Sequence, residues 1–318
     1  YVTSPDHMYR ADRILDYLER LESVRDVMTP YDLELMDSTR DYLNGRNRDR
    51  FHAKTLNTEI AREFGALSQF VDRRSPSAEA SVSLEYSGTT RTMRVTADDV
   101  EWDGAFADLP IPIYYDSPFV MDSFGYDSAA DHRHELNLML HSPPDSSISR
   151  GILNDDRSRR FERSVSGIVP GRFSMESEGL QYTDENGLKL YSRNLATGMK
   201  VFSVLKILVS KGYVNENTVL MLDEPEIHLH PLWINELAAI ICILVKDLGV
   251  KIVMTTHNPQ LLMALEGYSR DCGIGLDCYN LTLSDGGVDV EDVTGDLGPV
   301  YRSMSDPIRR ANSIYMGE

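Results

Sequence analysis

The chain has 318 residues, a formal net charge of −18, and 42% hydrophobic and 26% charged residues, a composition that excludes disorder as its main state. The acidic balance argues against a protein that wraps nucleic acid with its whole surface, but it leaves room for a local basic groove. No apolar run approaches the roughly 18 residues of a membrane span, and no signal peptide is recognisable. With only three cysteines, too few for a disulfide framework, we expect a cytoplasmic protein without a membrane partner.

Residues 1–75 predict a helical region. Apolar residues recur at helical spacing in three segments, and charged residues occupy the opposite faces. These segments are Ala11–Leu21, Pro30–Leu43 and Thr55–Val71.

Residues 76–165 predict a β-rich lobe with an irregular insert. Apolar and polar residues alternate in 82–86 and 93–95, on either side of a turn at 88–90, which predicts a β-hairpin. A short apolar strand is expected at Ile111–Tyr115.

The insert, residues 126–165, is the least regular part. We expect a short helix over Asp131–His141 and a loop over Ser142–Ser147. A basic cluster follows, and such clusters form either a nucleic-acid footprint or, as is commoner, solvated faces among interspersed acids. The basic clusters are Arg46/Arg48/Arg50, Arg73/Arg74, Arg157/Arg159/Arg160/Arg163 and Arg309/Arg310.

Residues 166–318 have the most regular pattern and predict an α/β arrangement. Two short segments predict an antiparallel hairpin, and an amphipathic helix, a buried strand, a long helix and a second buried strand follow. Strand, helix and strand at this spacing form a βαβ crossover with parallel strands. In order, the segments are Gly171–Glu176, Leu180–Thr183, Met199–Lys211, Thr218–Leu222, Pro231–Leu248 and Lys251–Thr256; a closing helix is expected within Asp296–Arg310.

Two acids, Asp223 and Glu224, follow the first buried strand directly. Open α/β sheets bind ligands at the carboxyl ends of their strands. There the first acid can hold Mg²⁺, usually through water, and the second can polarise an attacking water. The structural alternative is a pair of acids that interacts with the dipole of the next helix.

Polar residues in two further places point to the same chemistry. His257 ends the neighbouring strand, where an imidazole can donate a hydrogen bond to a terminal phosphate; otherwise it is a satisfied loop residue. The segment Asn194–Lys200 opens a helix, and helix N-termini attract anions. Its structural alternative is an ordinary N-cap formed by Thr197.

Together these motifs resemble those of ABC-type ATPases. The run Asp223–Pro231 (DEPEIHLHP) resembles the Walker B and D-loop segment, 255–259 (TTHNP) the switch-histidine loop, and Asn194–Lys200 (NLATGMK) the signature motif. More narrowly, they resemble the overcoming-lysogenization-defect and SMC-like ATPase heads, and above all the ATPase subunit of Septu-type anti-phage defence, including retron-associated versions. The resemblance covers about residues 166–315.

The resemblance implies a P-loop NTPase fold of the ABC-ATPase head type, with residues 1–75 as a helical insert and 76–165 contributing an antiparallel β subdomain. Asp223 would hold Mg²⁺ through water, Glu224 would activate the hydrolytic water, and His257 would sense the γ-phosphate of ATP. Five residues would bind ATP held by a second protomer, so we expect a homodimer or higher homo-oligomer. These five are Asn194, Thr197, Gly198, Met199 and Lys200.

The same resemblance places residues 226–230 along the dimer seam. His228 and His230 have an i, i+2 spacing that could instead indicate a metal pair, although the family motif fits it better. In this scheme Gly198→Asp should abolish activity without unfolding the monomer, because it places a carboxylate near the γ-phosphate.

The sequence departs from the pattern of this family in two places. The family's signature serine falls at Ala196, so its hydroxyl is missing, and Thr197 would have to substitute for it. The chain also has no G-x-x-x-x-G-K-[ST] motif and no Gly-Lys dipeptide to cradle phosphates. Because the sequence starts with Tyr1, we expect the P-loop in a preceding segment; without one, nucleotide affinity should be poor and hydrolysis absent.

The expected function is the ATPase of an anti-phage defence complex that controls an effector nuclease. We interpret Asp285, Asp289 and Asp292 as surface acids, so the nuclease should be another chain, of HNH type. A retron reverse transcriptase with its RNA–DNA hybrid would be a further partner. The alternatives are an SMC-like DNA-repair head and a non-catalytic assembly scaffold; a transporter ATPase fits less well.

Overall fold

The structure, a computed structural model, describes residues 79–103, 110–122, 132–142, 156–284 and 287–316. Five single positions before them are also described, and all five are helical: Leu33, Met36, Asp37, Ile60 and Glu63. The rest of the predicted helical region 1–75, with its two arginine clusters, lies outside the described residues. The chain divides into two compact units, residues 1–109 and 110–318.

The described elements alternate between strands and helices over most of the second unit. The strands are β1 (Glu79–Tyr86), β2 (Thr89–Thr96), β3 (Val100–Trp102), β4 (Ile111–Tyr115), β5 (Arg172–Glu176), β6 (Gly179–Thr183), β7 (Lys189–Tyr191), β8 (Thr218–Asp223), β9 (Lys251–Thr255), β10 (Tyr279–Ser284) and β11 (Gly287–Asp292). The α-helices are α1 (His132–His141), α2 (Asp156–Ser166), α3 (Thr197–Ser210), α4 (Pro231–Leu248), α5 (Pro259–Cys272) and α6 (Gly298–Met316).

The first unit contains the predicted hairpin. Strands β1, β2 and β3 form an antiparallel sheet, and Ser87 and Gly88, both with positive φ, make the tight turn between β1 and β2. Val95 and Val100 are fully buried in a small core with Ile60. The predicted strand pairing is therefore present, with the turn one residue earlier than predicted.

The second unit is built on a parallel sheet with the order β4-β8-β9. Helix α4 makes the connection between β8 and β9, which confirms the predicted βαβ crossover and the α/β fold class. Strand β4 falls in the predicted middle lobe, but it pairs with β8 and so belongs to this sheet. The three-part domain division of the sequence stays a prediction.

The boundaries of α4 follow from its ends. His230 is the N-cap, with its Nδ1 accepting from the Leu232 N–H at 3.2 Å, and Pro231 takes the first helical position, where a missing N–H has no consequence. Gly249 closes the helix in the left-handed conformation, at φ 70°. The strand β9 can therefore begin two residues later.

The main core lies between this sheet and helices α3 and α4. Its largest fully buried side chains include Phe202 and Leu208 of α3 and Leu237 and Leu244 of α4, and the full burial of each such side chain stabilises the fold by about 1.5–3 kcal/mol. The described residues include no helix long and apolar enough to cross a bilayer.

Two lysines of the α3 region, the buried Lys206 and the half-buried Lys211, connect α3 to its neighbours. Lys206 Nζ donates to the carbonyls of Val169 at 2.8 Å and Gly171 at 3.0 Å, just beyond the end of α2. Lys211 Nζ donates at 2.6 Å to the carbonyls of Leu140 and Ser142, at the end of α1. An ammonium group at the carboxyl end of a helix also interacts favourably with its dipole, so both contacts fix the position of α3.

Several elements were not predicted from the sequence. Helix α2 lies where an irregular insert with a basic cluster was expected, and α5 and the β10–β11 hairpin were not anticipated. Helix α1 and the closing helix α6 are confirmed, although α6 extends to Met316. Asp289 and Asp292 are exposed, as expected for surface acids, and Asp285 lies outside the described residues.

Candidate active site

The carboxyl ends of β8 and β9 lie side by side and carry the predicted acids and histidine. In the parallel register Asp223 is the partner of Thr255. The next residue, Glu224, donates its main-chain N–H to both the carbonyl oxygen of Thr255 at 3.2 Å and its Oγ1 at 3.1 Å. The last residue of β9 therefore holds the backbone that presents both acids.

Glu224 has an unusual backbone conformation. Its φ is +42°, in the left-handed region that side chains other than glycine rarely adopt. Such a conformation costs on the order of 1–3 kcal/mol and tends to persist at functional sites. Here the two bonds from its N–H to Thr255 oppose relaxation of the turn.

Glu224 and His257 meet in front of the sheet edge. The distance from His257 Nε2 to Glu224 Oε1 is 3.0 Å, so an N–H at Nε2 is placed to donate to the carboxylate, which can only accept. The Glu224 side chain is 29% exposed and that of His257 is 86% exposed. Both groups therefore face one solvent-accessible space.

The carboxylate of Asp223 is held from both neighbouring strands. Oδ1 accepts a hydrogen bond from the Thr255 hydroxyl, and Oδ2 lies 3.4 Å from the Tyr114 hydroxyl on β4. Burial, and then the charge of Asp223, raise the pKa of Tyr114, so this hydroxyl stays protonated and can donate. Each oxygen of the carboxylate thus has one hydrogen-bond contact among the residues that the structure describes.

A second group of side chains supports Tyr114. The ring of His132 packs edge-on against the Tyr114 ring with centroids 4.7 Å apart, and His132 Nε2 lies 3.4 Å from Asp116 Oδ2. Arg133 Nε donates to the same oxygen at 2.8 Å. Burial raises the pKa of Asp116, but the hydrogen bonds and charges of Arg133 and His132 outweigh this effect and lower it.

Beside the acid pair lies a buried third acid, Glu226. Its residue is only 5% exposed, and its Oε1 accepts a hydrogen bond from the Thr256 hydroxyl. Burial raises the pKa of Glu226, the hydrogen bond from Thr256 lowers it, and the negative charge of Glu224 raises it further; the net direction is upward. Sequence reasoning placed this residue along a dimer seam and did not anticipate that it is buried.

The start of α3 is not capped by Thr197, which was the structural alternative for this segment. The N-cap is Ala196, no side chain caps the helix, and Thr197 is its first residue, so the interpretation of Thr197 as an N-cap is wrong. Asn194 is exposed at the end of a short 3-10 helix, and Thr197 is half-buried. No side chain in the described part of the chain thus competes for the first N–H groups of α3.

Further along α3, the side chains turn inward. Gly198 is buried, and a Cβ built on it would lie 2.8 Å from the indole ring of Trp233. The side chain of Lys200 is 3% exposed, and its Nζ forms an ion pair with Asp122 and lies 5.2 Å from the centroid of the Phe119 ring. Met199 packs against the main core.

The position of Trp233 argues against the expectation that Gly198→Asp leaves the monomer folded, because the indole ring occupies the space that a new side chain needs. The roles expected for Asn194, Thr197, Gly198, Met199 and Lys200 in nucleotide binding stay predictions. Among the described residues, no hydrogen bond or ion pair joins this segment to Asp223, Glu224 or His257.

His228 and His230 have separate structural contacts. His230 caps α4, and the ring of His228 packs edge-on against Phe119 with centroids 5.5 Å apart. Within the described part of the chain, no group of three or more His, Cys, Asp or Glu residues could hold a metal ion. These contacts favour the interpretation without a metal pair.

The carboxylate of Asp223 fits a hydrated Mg²⁺. A carboxylate has about four acceptor positions, and the contacts from Thr255 and Tyr114 use two of them. Mg²⁺ keeps most of its waters in proteins and binds through one or two carboxylates and substrate phosphates. A single half-exposed carboxylate at a strand end is therefore a sufficient donor for such an ion.

Comparison with known proteins agrees with an ATPase. Residues 126–264 match the family model described as "AAA domain, putative AbiEii toxin, Type IV TA system". The match covers less than half of the chain, but it includes the start of α3, both acids and His257. A search of curated proteins finds no match.

Similar solved structures are SMC heads. The chain has 12% identity and a TM-score of 0.45 to an Smc head bound to the C-winged helix domain of ScpA, over 72% of this chain and 78% of that one. For the SMC head domain from Thermotoga maritima, the identity is 15% and the TM-score 0.37, over 70% of this chain and 77% of that one. For the Smc head domain with a coiled coil and joint from Pyrococcus yayanosii, the identity is 12% and the TM-score 0.35, over 49% of this chain and 29% of that one.

The α/β fold around a parallel sheet is thus confirmed, and the domain match supports the P-loop NTPase type of fold for that part of the chain. Residues 126–264 are similar to an AAA-type ATPase domain. The signals that sequence reasoning missed are Thr255, Thr256 and Tyr114. The first two could have been found from the parallel register, which places the end of β9 opposite the acid turn.

Proposed function

We propose that this protein is an ATP hydrolase of the ABC type, with active sites formed between two protomers. The observation that carries the proposal is the 3.0 Å contact of His257 with Glu224, directly after Asp223, at the carboxyl edge of a parallel sheet. An acid pair with an imidazole at this edge suits phosphoryl transfer to water.

Each of the three residues has a defined task. Glu224 orients a water molecule and accepts its proton, and its partly exposed side chain allows water to approach. His257 is exposed enough to contact the γ-phosphate from the other side. Asp223 would hold Mg²⁺ through water, and the ion when bound would neutralise charge on the phosphate oxygens.

The second half of each site would come from a second copy of the chain. The uncapped start of α3, with Asn194 exposed beside it, supports a contact with the γ-phosphate of the partner's ATP. Ile227 and Leu232, next to the acid turn, are 62% and 71% exposed, which supports burial of this region in a homodimer or higher homo-oligomer. The resemblance of residues 226–230 to a D-loop supports the same arrangement.

We further propose that ATP binding and hydrolysis control an effector nuclease in an anti-phage defence complex. The resemblance of the motifs to the Septu ATPase subunit supports this role, and the description of the matched domain as a putative toxin points to a multicomponent system. An HNH-type endonuclease is the expected partner, and a retron reverse transcriptase with its RNA–DNA hybrid is the second. Purification from the native operon tests this; if neither enzyme accompanies the ATPase, the defence role is rejected.

Turnover of radiolabelled ATP by the full-length gene product tests the hydrolase. Glu224→Gln should lower the turnover about 100-fold or more, because glutamine cannot accept the proton of water. Glu291→Gln, on an exposed glutamate of β11, is the matched control and should hydrolyse ATP like the wild type.

A non-catalytic scaffold is the second candidate. Ala196 stands where the signature serine is expected and lacks a hydroxyl for the phosphate. Equal, near-zero turnover by the wild type and by Glu224→Gln would reject the hydrolase and support this scaffold.

A further inference from the structure

Glu226 is an acid in a costly environment. It lies three residues after Asp223 and is 5% exposed, and its Oε2 is a buried oxygen with no hydrogen-bond partner among the described residues. Burying a carboxyl group without full hydrogen bonding is unfavourable. Among the described residues, the side chain that hydrogen-bonds this carboxyl group is Thr256.

That contact is with the hydroxyl of Thr256, which has two neighbours. The hydroxyl accepts the main-chain N–H of Asn258 at 3.0 Å and donates its proton to Glu226 Oε1. A hydroxyl has one proton only, so Glu226 determines where it points. Glu226 and the loop after β9 are thereby joined through one side chain.

The far side of the same loop is fixed as well. Asn258 is the N-cap of α5, and its Oδ1 accepts from the N–H groups of Gln260 at 2.9 Å and Leu261 at 3.2 Å. His257 therefore lies between two held residues. Its own side chain is 86% exposed, so packing does not determine its orientation, and its position depends on Thr256 and Asn258.

We propose that Glu226 is a positioning residue, which acts through the Thr256 hydroxyl to hold His257 against Glu224. The buried acid joins the turn after β8 to the loop after β9, the two segments that carry the reacting groups. In this role it holds the Thr256 hydroxyl and takes no direct part in the reaction. This inference rests on the proposed ATP hydrolase function.

The hydrogen-bond acceptor, rather than the negative charge, is what this role requires. Glu226→Gln keeps an acceptor oxygen at the same place, whereas Glu226→Met keeps a similar volume and removes it. On the other side, Thr256→Ser keeps the hydroxyl and Thr256→Val removes it with little change of shape.

Steady-state ATP hydrolysis by the full-length protein separates these cases. Glu226→Met and Thr256→Val should each lower kcat about tenfold or more, with little change in KM, because a misplaced His257 slows the reaction rather than the binding of ATP. Glu226→Gln and Thr256→Ser should restore most of kcat. The double variant Glu226→Met/Thr256→Val should have a kcat no lower than that of either single variant, because both substitutions remove the same hydrogen bond.

Thr282→Val, on an exposed residue of β10, is the matched control and should leave kcat unchanged. If Glu226→Met destabilises the fold, Thr256→Val still tests the proposal, because Thr256 is only half-buried. If the wild type hydrolyses ATP and both variants match it, or if Glu226→Gln and Thr256→Ser fail to rescue kcat, the positioning role is wrong and the hydrolase stands. If the wild type itself does not hydrolyse ATP, the proposed function is wrong and this role falls with it.

Discussion

The two halves of the candidate site present their residues in opposite ways. At the ends of β8 and β9, the carboxylate of Glu224 and the imidazole of His257 meet in a space open to solvent. At the start of α3, Gly198 packs under Trp233, and Lys200 forms an ion pair with Asp122 inside the protein. These two residues of the first half are therefore accessible to a ligand, whereas those two of the second half pack inside the protein.

The contrast between exposed reacting groups and packed motif residues is tested most directly at His257. We expect His257→Ala to lower ATP turnover about 100-fold, because the contact with Glu224 and with the phosphate is lost. Its side chain is 86% exposed, so the Tm should stay within a degree or so of the wild-type value. Turnover assays and calorimetry on the same preparation measure both. A large drop in Tm would show that His257 supports the fold, in the way proposed for Gly198.

The opposite behaviour is expected at Gly198. We expect Gly198→Ala to lower the free energy of unfolding by about 1–3 kcal/mol, because the new Cβ would lie 2.8 Å from the Trp233 ring. Gly267 of α5 is a matched control, since a Cβ there meets no atom within 4 Å. Gly267→Ala should instead stabilise the helix by about 0.5–1 kcal/mol. Denaturant unfolding measures both, and an equal response of the two glycines would contradict the packing role.

The smallest effect concerns pH and Glu226. Because its pKa is raised in the folded protein, chiefly by burial, the folded state binds its proton more tightly than the unfolded chain does. Its contribution to stability is present at low pH and is lost as the pH rises above about 4.5. Glu226→Gln has no such group.

The Tm of Glu226→Gln relative to the wild type should therefore increase from pH 4.5 to 7.5. The corresponding change in the free energy of unfolding should be smaller than the change expected for Gly198→Ala. Glu224, His257 and Thr256 face this carboxyl group and are unchanged in the variant. A difference in Tm that does not vary with pH would show that the pKa of Glu226 is not raised.

The sequence was most informative where local signals and burial agree. Strands β4 and β8 are apolar runs that end at polar residues, and α4 begins at Pro231 and ends before Gly249, so their bounds were predicted to within a residue. Helix α2 was missed because its exposed faces are crowded with arginines, and only two of its large side chains, Phe161 and Val165, reach the core.

Within the site, chain order identified the acids and the histidine, but not what holds them. The support of Asp223 by Tyr114 joins residues 109 positions apart, and that of Glu226 by Thr256 joins residues 30 apart. Hydroxyl groups at such separations leave no periodic pattern. Likewise, the sequence does not show that Gly198 faces an indole ring, because Trp233 belongs to another helix.

The left-handed backbone of Glu224 limits which residues can replace it. Glycine would adopt φ +42° without strain and asparagine with little, so either would make the turn more comfortable while removing the carboxylate. Either substitution would therefore separate the two roles of this position, since the turn would lose backbone strain while the proposed activation of water would lose its proton acceptor.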